Sequence, residues 1–182
     1  KERDAHGRFR YESSFQAKWG EEPLPFVDYY RLAIREKLQH MGLSVDVPSW
    51  QGHPFAVCMT HDIDHLYKWT LRRWWKEKRP IKPFLEQIDG YQWGLERLLA
   101  VDHQHNLKAT WFFKAGVNAP EDHFYPLHSP FVQTLFKKLH ENGHEIGLHP
   151  AYFSHAHPDF FRREAEYLRK HAPHKNTSVR QH

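Results

Sequence analysis

Three short apolar runs, at residues 55–60, 108–113 and 145–149, are bounded by turn-forming residues and separated by longer stretches of helical period. A buried strand needs only a few residues, whereas returning the chain to lay a parallel neighbour takes a crossover of a dozen or more. The alternation therefore predicts βα units and a parallel sheet or barrel. A fourth run, 177–180, is placed to open a fourth strand. Between the runs, Tyr30, Ile34, Leu38 and Met41 mark a helix over 26–42, and a second is expected at 66–78, stopped by Pro80. A third, over 84–102, would turn Ile88, Tyr91, Leu95 and Leu98 to one face. Phe131, Val132, Leu135, Phe136 and Leu139 give a fourth, closed by Asn142 and Gly143, and Phe160, Phe161, Ala165 and Leu168 a fifth. Residues 1–23 have no clear period, and Pro48, Gly52 and Pro54 make 44–54 read as a linker. The domain reading is a lead-in segment or tail of a preceding domain over 1–52, then one α/β domain over 53–182.

Composition narrows the function classes. Of 182 residues 40% are hydrophobic and 15% aromatic, too many for a disordered chain. No apolar run approaches the length of a membrane span, so none is expected. The single cysteine, Cys58, excludes an internal disulfide and a Cys-rich zinc module. The net charge of +4 is dispersed. Its densest patch, Arg72, Arg73, Lys76, Lys78 and Arg79, reads as a solvated helix face, and no nucleic-acid partner is expected. The chain begins without Met and ends without cap or tail character, and it reads as a fragment. A missing targeting signal then says little, and location stays open with the cytoplasm as the nominal expectation.

Chemistry concentrates in two segments. Thr60-His61-Asp62-Ile63-Asp64-His65 lies at the end of the first run. Alternation in a strand points Asp62 and Asp64 the same way, and two adjacent carboxylates repel unless a positive charge joins them. A divalent cation resolves this, with one Asp as ligand and the other free to take a proton from water. The competing reading is an Asx-rich turn whose carboxylates cap the next helix. The second segment, Gly143-His144-Glu145-Ile146-Gly147-Leu148-His149-Pro150, puts His149 at the end of the third run. In parallel α/β folds functional groups gather at the carboxyl ends of strands. Asp62, Asp64 and His149 would then share one rim, a plausible hard-metal or zinc site.

Together these segments resemble the polysaccharide deacetylases of carbohydrate esterase family four. Thr60-His61-Asp62-Ile63-Asp64 is similar to that family's opening motif, Ala109-Thr110-Trp111-Phe112-Phe113 to its next strand, and Gly143 through His149 to its Gly-His-Glu-Ile-Gly-x-His segment. The resemblance covers roughly 53–182. It implies a partial (β/α) barrel of the deacetylase type, truncated after about four strands. It implies Asp62 as catalytic base, Asp64 and His149 as metal ligands, and Arg180 as the brace of Asp62. It also implies a divalent metal, zinc foremost, and an acetylated polysaccharide or amino-sugar substrate from which N-acetyl or O-acetyl groups are hydrolysed. His149-Pro150-Ala151-Tyr152-Phe153 departs from the family pattern, because Phe153 stands where a second metal-binding His belongs. His155 or His157 could replace it, with His155 taken as the third ligand; otherwise water or a residue beyond this chain completes the shell. The family's general acid would lie beyond His182. Two other classes stay open: a non-catalytic carbohydrate-binding relative with a degraded metal site, and a metal-dependent hydrolase of another substrate such as a phosphoester.

Overall fold

The computed structural model describes residues 3–5, 7–20, 24–45, 49–66, 90–173 and 178–181. They belong to two compact units, Lys1–Ala56 and Val57–His182. The first carries a short helix α1 (Phe15–Trp19) and a longer helix α2 (Phe26–His40). Ser14 caps α1 by accepting from the Ala17 amide at 3.1 Å. The apolar stripe of α2 forms at the expected spacing, but Tyr30, Ile34 and Met41 remain exposed and α2 buries no residue.

The second unit holds the sheet. Strands β1 (Met59–Ile63), β2 (Ala109–Lys114) and β3 (Glu145–His149) are parallel, in the order β1-β2-β3. Ile63 pairs with Phe113, and Lys114 with His149. Val179 adds one parallel bridge to Leu148, where the fourth run was expected. Helices α3 (Gly90–Gln104), α4 (Pro130–Glu141) and α5 (Pro158–His171) alternate with the strands. This is a mixed α/β architecture around a small parallel sheet. Among the described residues no helix is long and apolar enough to cross a membrane.

Alternation divides the sheet into two faces. One carries Ile63, Trp111, Phe113, Ile146 and Leu148, and it forms a single core with Leu95 and Leu99 of α3, Val132, Leu135, Phe136 and Leu139 of α4, and Leu168 of α5. Each large side chain buried here contributes about 1.5–3 kcal/mol over its exposed state. Ser129 caps α4, and Gly143 takes the left-handed conformation (φ 72°) that lets the chain leave α4 and enter β3 directly. The other face carries Asp62, Phe112, Lys114, Gly147 and His149. At its carboxyl edge the buried Tyr125 ties two strands together. Its hydroxyl accepts the Lys114 amide at 2.8 Å and donates to the Ile63 carbonyl at 2.5 Å, where the β1–β2 ladder ends.

Three expectations need correction. The first strand is Met59–Ile63, not 55–60, and Phe55 and Val57 are exposed. Apolar composition does not make a strand without a partner, and β2 begins to pair only at Ala109, opposite Met59. Asp62 therefore lies within β1. In α3 the buried face is Leu95, Leu99 and Asp102, with Leu98 exposed. The adjacent leucines allowed either face, and the Asp102 carboxylate, 2.9 Å from His61 Nε2, lies on the Leu99 side. In α5 Phe160 stays outside, under the Arg163 guanidinium, and Glu164 is buried in its place. The helix expected at 66–78 lies outside the described residues except for Leu66, which is buried.

The core side also holds a proton-sensitive group. His144 is buried, and its Nδ1 accepts the Ala109 amide at 3.1 Å, so the ring proton sits on Nε2. Burial holds its pKa below the ordinary 6.5, with the Asp102 charge opposing. A histidine pKa lowered by folding means the unfolded chain binds the proton more readily. Its stabilising contribution is therefore complete above 6.5 and declines as pH falls below that value. Thermal midpoints measured at about pH 7.5 and about pH 5.5 should fall in the acid sample. His144→Gln should flatten that slope.

Candidate functional site

The carboxyl ends of the strands bring four of the sequence-selected residues together. Asp62 extends from β1 on the face opposite the core, and Asp64 follows one residue beyond the strand. His149 is the last residue of β3, and Arg180 follows the Val179 bridge. Arg180 Nη1 lies 3.2 and 3.4 Å from the two Asp62 carboxylate oxygens. To reach from the β3 side to β1, the guanidinium crosses the sheet on the Phe112 ring, 4.8 Å from its centroid. The ring itself lies over Gly147, its register partner, where a Cβ would stand 2.6 Å from two ring carbons. Gly147, Phe112, Arg180 and Asp62 thus form one stack. Asp62 and Arg180 side chains are 34% and 40% exposed. A pair in that much water contributes little stability, and its consequence is orientation.

Arg180 also acts through its backbone. Its carbonyl accepts from His149 Nδ1 at 2.7 Å. A carbonyl cannot donate, so Nδ1 carries a proton, and Nε2 is the nitrogen turned toward Asp64. Nε2 lies 3.2 Å from Asp64 Oδ1. Oδ1 is a buried atom without a hydrogen-bond partner among the described residues. A carboxylate oxygen and an imidazole lone pair at that separation repel unless a proton or a cation joins them. This donor set, one unsatisfied carboxylate oxygen and one Nε2 whose other nitrogen is fixed by a carbonyl, fits a divalent ion. A cleft of about 420 Å³ opens beside it, lined by Asp62, Asp64 and His65 and by Gly94, Leu95 and Leu98 of α3.

The third expected ligand is not brought to this pair. His155 sits in a short 3₁₀ turn (Ser154–Ala156), with Nδ1 3.0 Å from the Tyr152 carbonyl. Phe153 is 43% exposed. Among the described residues no group of three His, Cys, Asp or Glu side chains is arranged to hold a metal.

Sequence reasoning missed the polar network behind His149. Lys114 ends β2 on the same face as its register partner His149, and its ammonium lies 3.1 Å from Asp122 in a pair almost fully buried. Burial pushes the Asp122 carboxyl up, but the Asn118 amide, the Lys114 ammonium and the Tyr152 amide outweigh it and hold its pKa below the ordinary 3.8. Glu164 is also buried, and burial raises its pKa against the hydrogen bonds from Ser154 and Ala151. Its signal was present: residues 161, 164 and 168 recur at i+3 and i+4 spacing, so Glu164 lies on the apolar stripe of its helix. Asp122, in a loop, carried no periodic signal. Compared with known protein families, curated proteins and solved structures, the chain gives no match.

Proposed function

We propose that residues 53–182 form part of a deacetylase-type (β/α) barrel whose strand-end site hydrolyses acetyl groups from an amino sugar or polysaccharide. The observation that carries this reading is the double use of Arg180, whose side chain holds Asp62 while its carbonyl orients His149 toward Asp64. Sugar binding without chemistry has no need of a carboxylate held in one rotamer beside a second, unsatisfied one. Asp64 and His149 would hold a divalent cation, zinc foremost, which supplies an electrophile for the acyl carbonyl and makes attacking water more acidic. Asp62, fixed by Arg180, takes the proton of that water as oxygen bonds to the acyl carbon. The carbon–nitrogen bond then breaks as the proton taken by Asp62 passes to the leaving nitrogen, giving acetate and a free amine, or to the leaving oxygen of an O-acetyl ester, giving an alcohol. The cleft beside β1 gives the acyl group and sugar ring a place to lie.

Ligand count favours a second reading, a carbohydrate-binding relative with a degraded metal site. Asp64 and His149 are joined by no third ligand among the described residues, and Phe153 stands in the ligand position of the family it resembles. On that count the second reading is the better supported, and the first rests on the geometry of Arg180.

One experiment separates them. The chain is titrated with Zn²⁺ by calorimetry and then incubated with N-acetylglucosamine oligomers while acetate is measured. The hydrolase reading expects about one equivalent of bound zinc and released acetate, with zinc affinity lowered at least tenfold in Asp64→Asn. Oligomer binding with neither zinc uptake nor acetate establishes the second reading. Phosphate release from a phosphoester, in place of acetate, would assign the site to another hydrolase class.

A further inference from the structure

Pro150, which follows His149, has no amide proton, and the next three amides are each held by a side chain. The Ala151 amide donates to Glu164 Oε1 at 3.0 Å, the Tyr152 amide to both Asp122 oxygens at 3.1 and 3.2 Å, and the Phe153 amide to Asn118 Oδ1 at 2.9 Å. Loop amides are ordinarily satisfied by water or by neighbouring backbone, and burying carboxylates to do it is costly. Asp122 is the centre of this arrangement. Its Oδ2 also accepts the Asn118 and Ala119 amides at 3.0 and 3.1 Å, folding its own loop around it, and its Oδ1 accepts from Lys114 Nζ at 3.1 Å. Lys114 is the register partner of His149, and Tyr152 lies three residues beyond His149. One carboxylate, itself 1% exposed, therefore grips the structure on both sides of His149.

We propose that Asp122 is a positioning residue that fixes His149 by anchoring the strand beside it and the loop after it. The consequence for cation affinity rests on the reading of Asp64 and His149 as ligands given above. The anchor also accounts for His155. Moving the loop far enough to bring that ring to Asp64 would break consecutive amide bonds to buried acceptors, and a buried acceptor left without its donor is costly. His149 is thereby held in one place at the expense of recruiting a nearby replacement for the third ligand.

The test uses the full chain and Asp122→Ala, with three readouts: Zn²⁺ affinity, hydrogen exchange at the Tyr152 amide, and the ring nitrogen NMR signals of His149. The expected result is a loss of zinc affinity of about 10–100-fold, the range found when groups supporting a metal ligand are removed. Tyr152 exchange should be faster, the His149 signals should shift, and the amides of β3 should keep their protection. Parental zinc affinity and unmoved His149 signals in a variant whose Tyr152 amide is released would overturn the proposal. Asp122→Asn, which keeps the shape of the side chain, is the second variant should the alanine form not fold. It is expected to move the same readouts in the same direction, and the same pattern of indifference counts against the proposal. If the parental chain takes up no zinc, the ligand reading falls by itself. The His149 signals then decide the positioning claim, for it if they shift in the variant and against it if they do not.

Discussion

Asp62→Asn is expected to lower acetate release by about 10²–10⁴-fold while leaving zinc affinity near the parental value. The substitution keeps the shape of the side chain and one acceptor for Arg180 Nη1, but it removes the group that takes a proton from water. Asp64→Asn should do the reverse, weakening zinc binding first and activity in consequence. The two carboxylates are told apart by partner. Asp62 is engaged by Arg180, whereas Asp64 Oδ1 has no hydrogen bond among the described residues and faces His149 Nε2. Equal loss of zinc in both variants would make Asp62 a ligand and end its assignment as the base. Acetate release unaffected by either would leave a resemblance of fold alone.

Gly147→Ala should be strongly destabilising for a single added methyl group. A Cβ there would meet two Phe112 ring carbons at 2.6 Å and the Ser178 carbonyl at 3.1 Å. The ring cannot retreat freely, because the Arg180 guanidinium lies against it. Overpacking of this kind costs about 1–3 kcal/mol and sometimes more. Displacement of the ring should also loosen Arg180 from Asp62, so activity should fall even in the folded fraction. Gly94→Ala is the matched control, because among the described residues a Cβ at that helical position meets nothing within 4 Å. It should be neutral or stabilising by up to about 1 kcal/mol. Denaturation midpoints of the two variants check the contrast, and equal destabilisation would show that the Phe112 contact is not what matters.

What could be read from the sequence divides by range. Glu145–His149 was legible because Asn142 and Gly143 mark its start and Pro150 its end. The start of β1 was not, because the apolar residues 55–58 precede the point at which a partner exists, and pairing is decided by β2 far along the chain. The face of α3 was ambiguous between Leu98 and Leu99 until the place of Asp102 beside His61 was known. Asp62, Asp64 and His149 stand out by motif and by the rule that strand ends meet at one edge, whereas Arg180 enters only through the family resemblance. Their geometry required two facts that no local pattern carries, the crossing of Arg180 over Phe112 and the use of its carbonyl by His149. Lys114 and Asp122 escaped notice because a charged residue after Phe112-Phe113 reads as the end of a strand, and an acid in a loop reads as solvated.

The double engagement of Arg180 has a consequence for when the site comes into being. Its side chain reaches a partner 118 residues earlier, and its backbone is attached through bonds with Leu148. Such distant contacts close late, after the helices and the β1–β2 pair have had time to form. A chain emerging from the ribosome could assemble the hydrophobic core yet still lack an ordered Asp62 and an oriented His149, because both wait on one residue near position 180. Fraying of that short segment in the finished protein would release both together. Chemistry at this site would therefore depend on the pairing of that segment with β3, and molecules in which it is open would be inert.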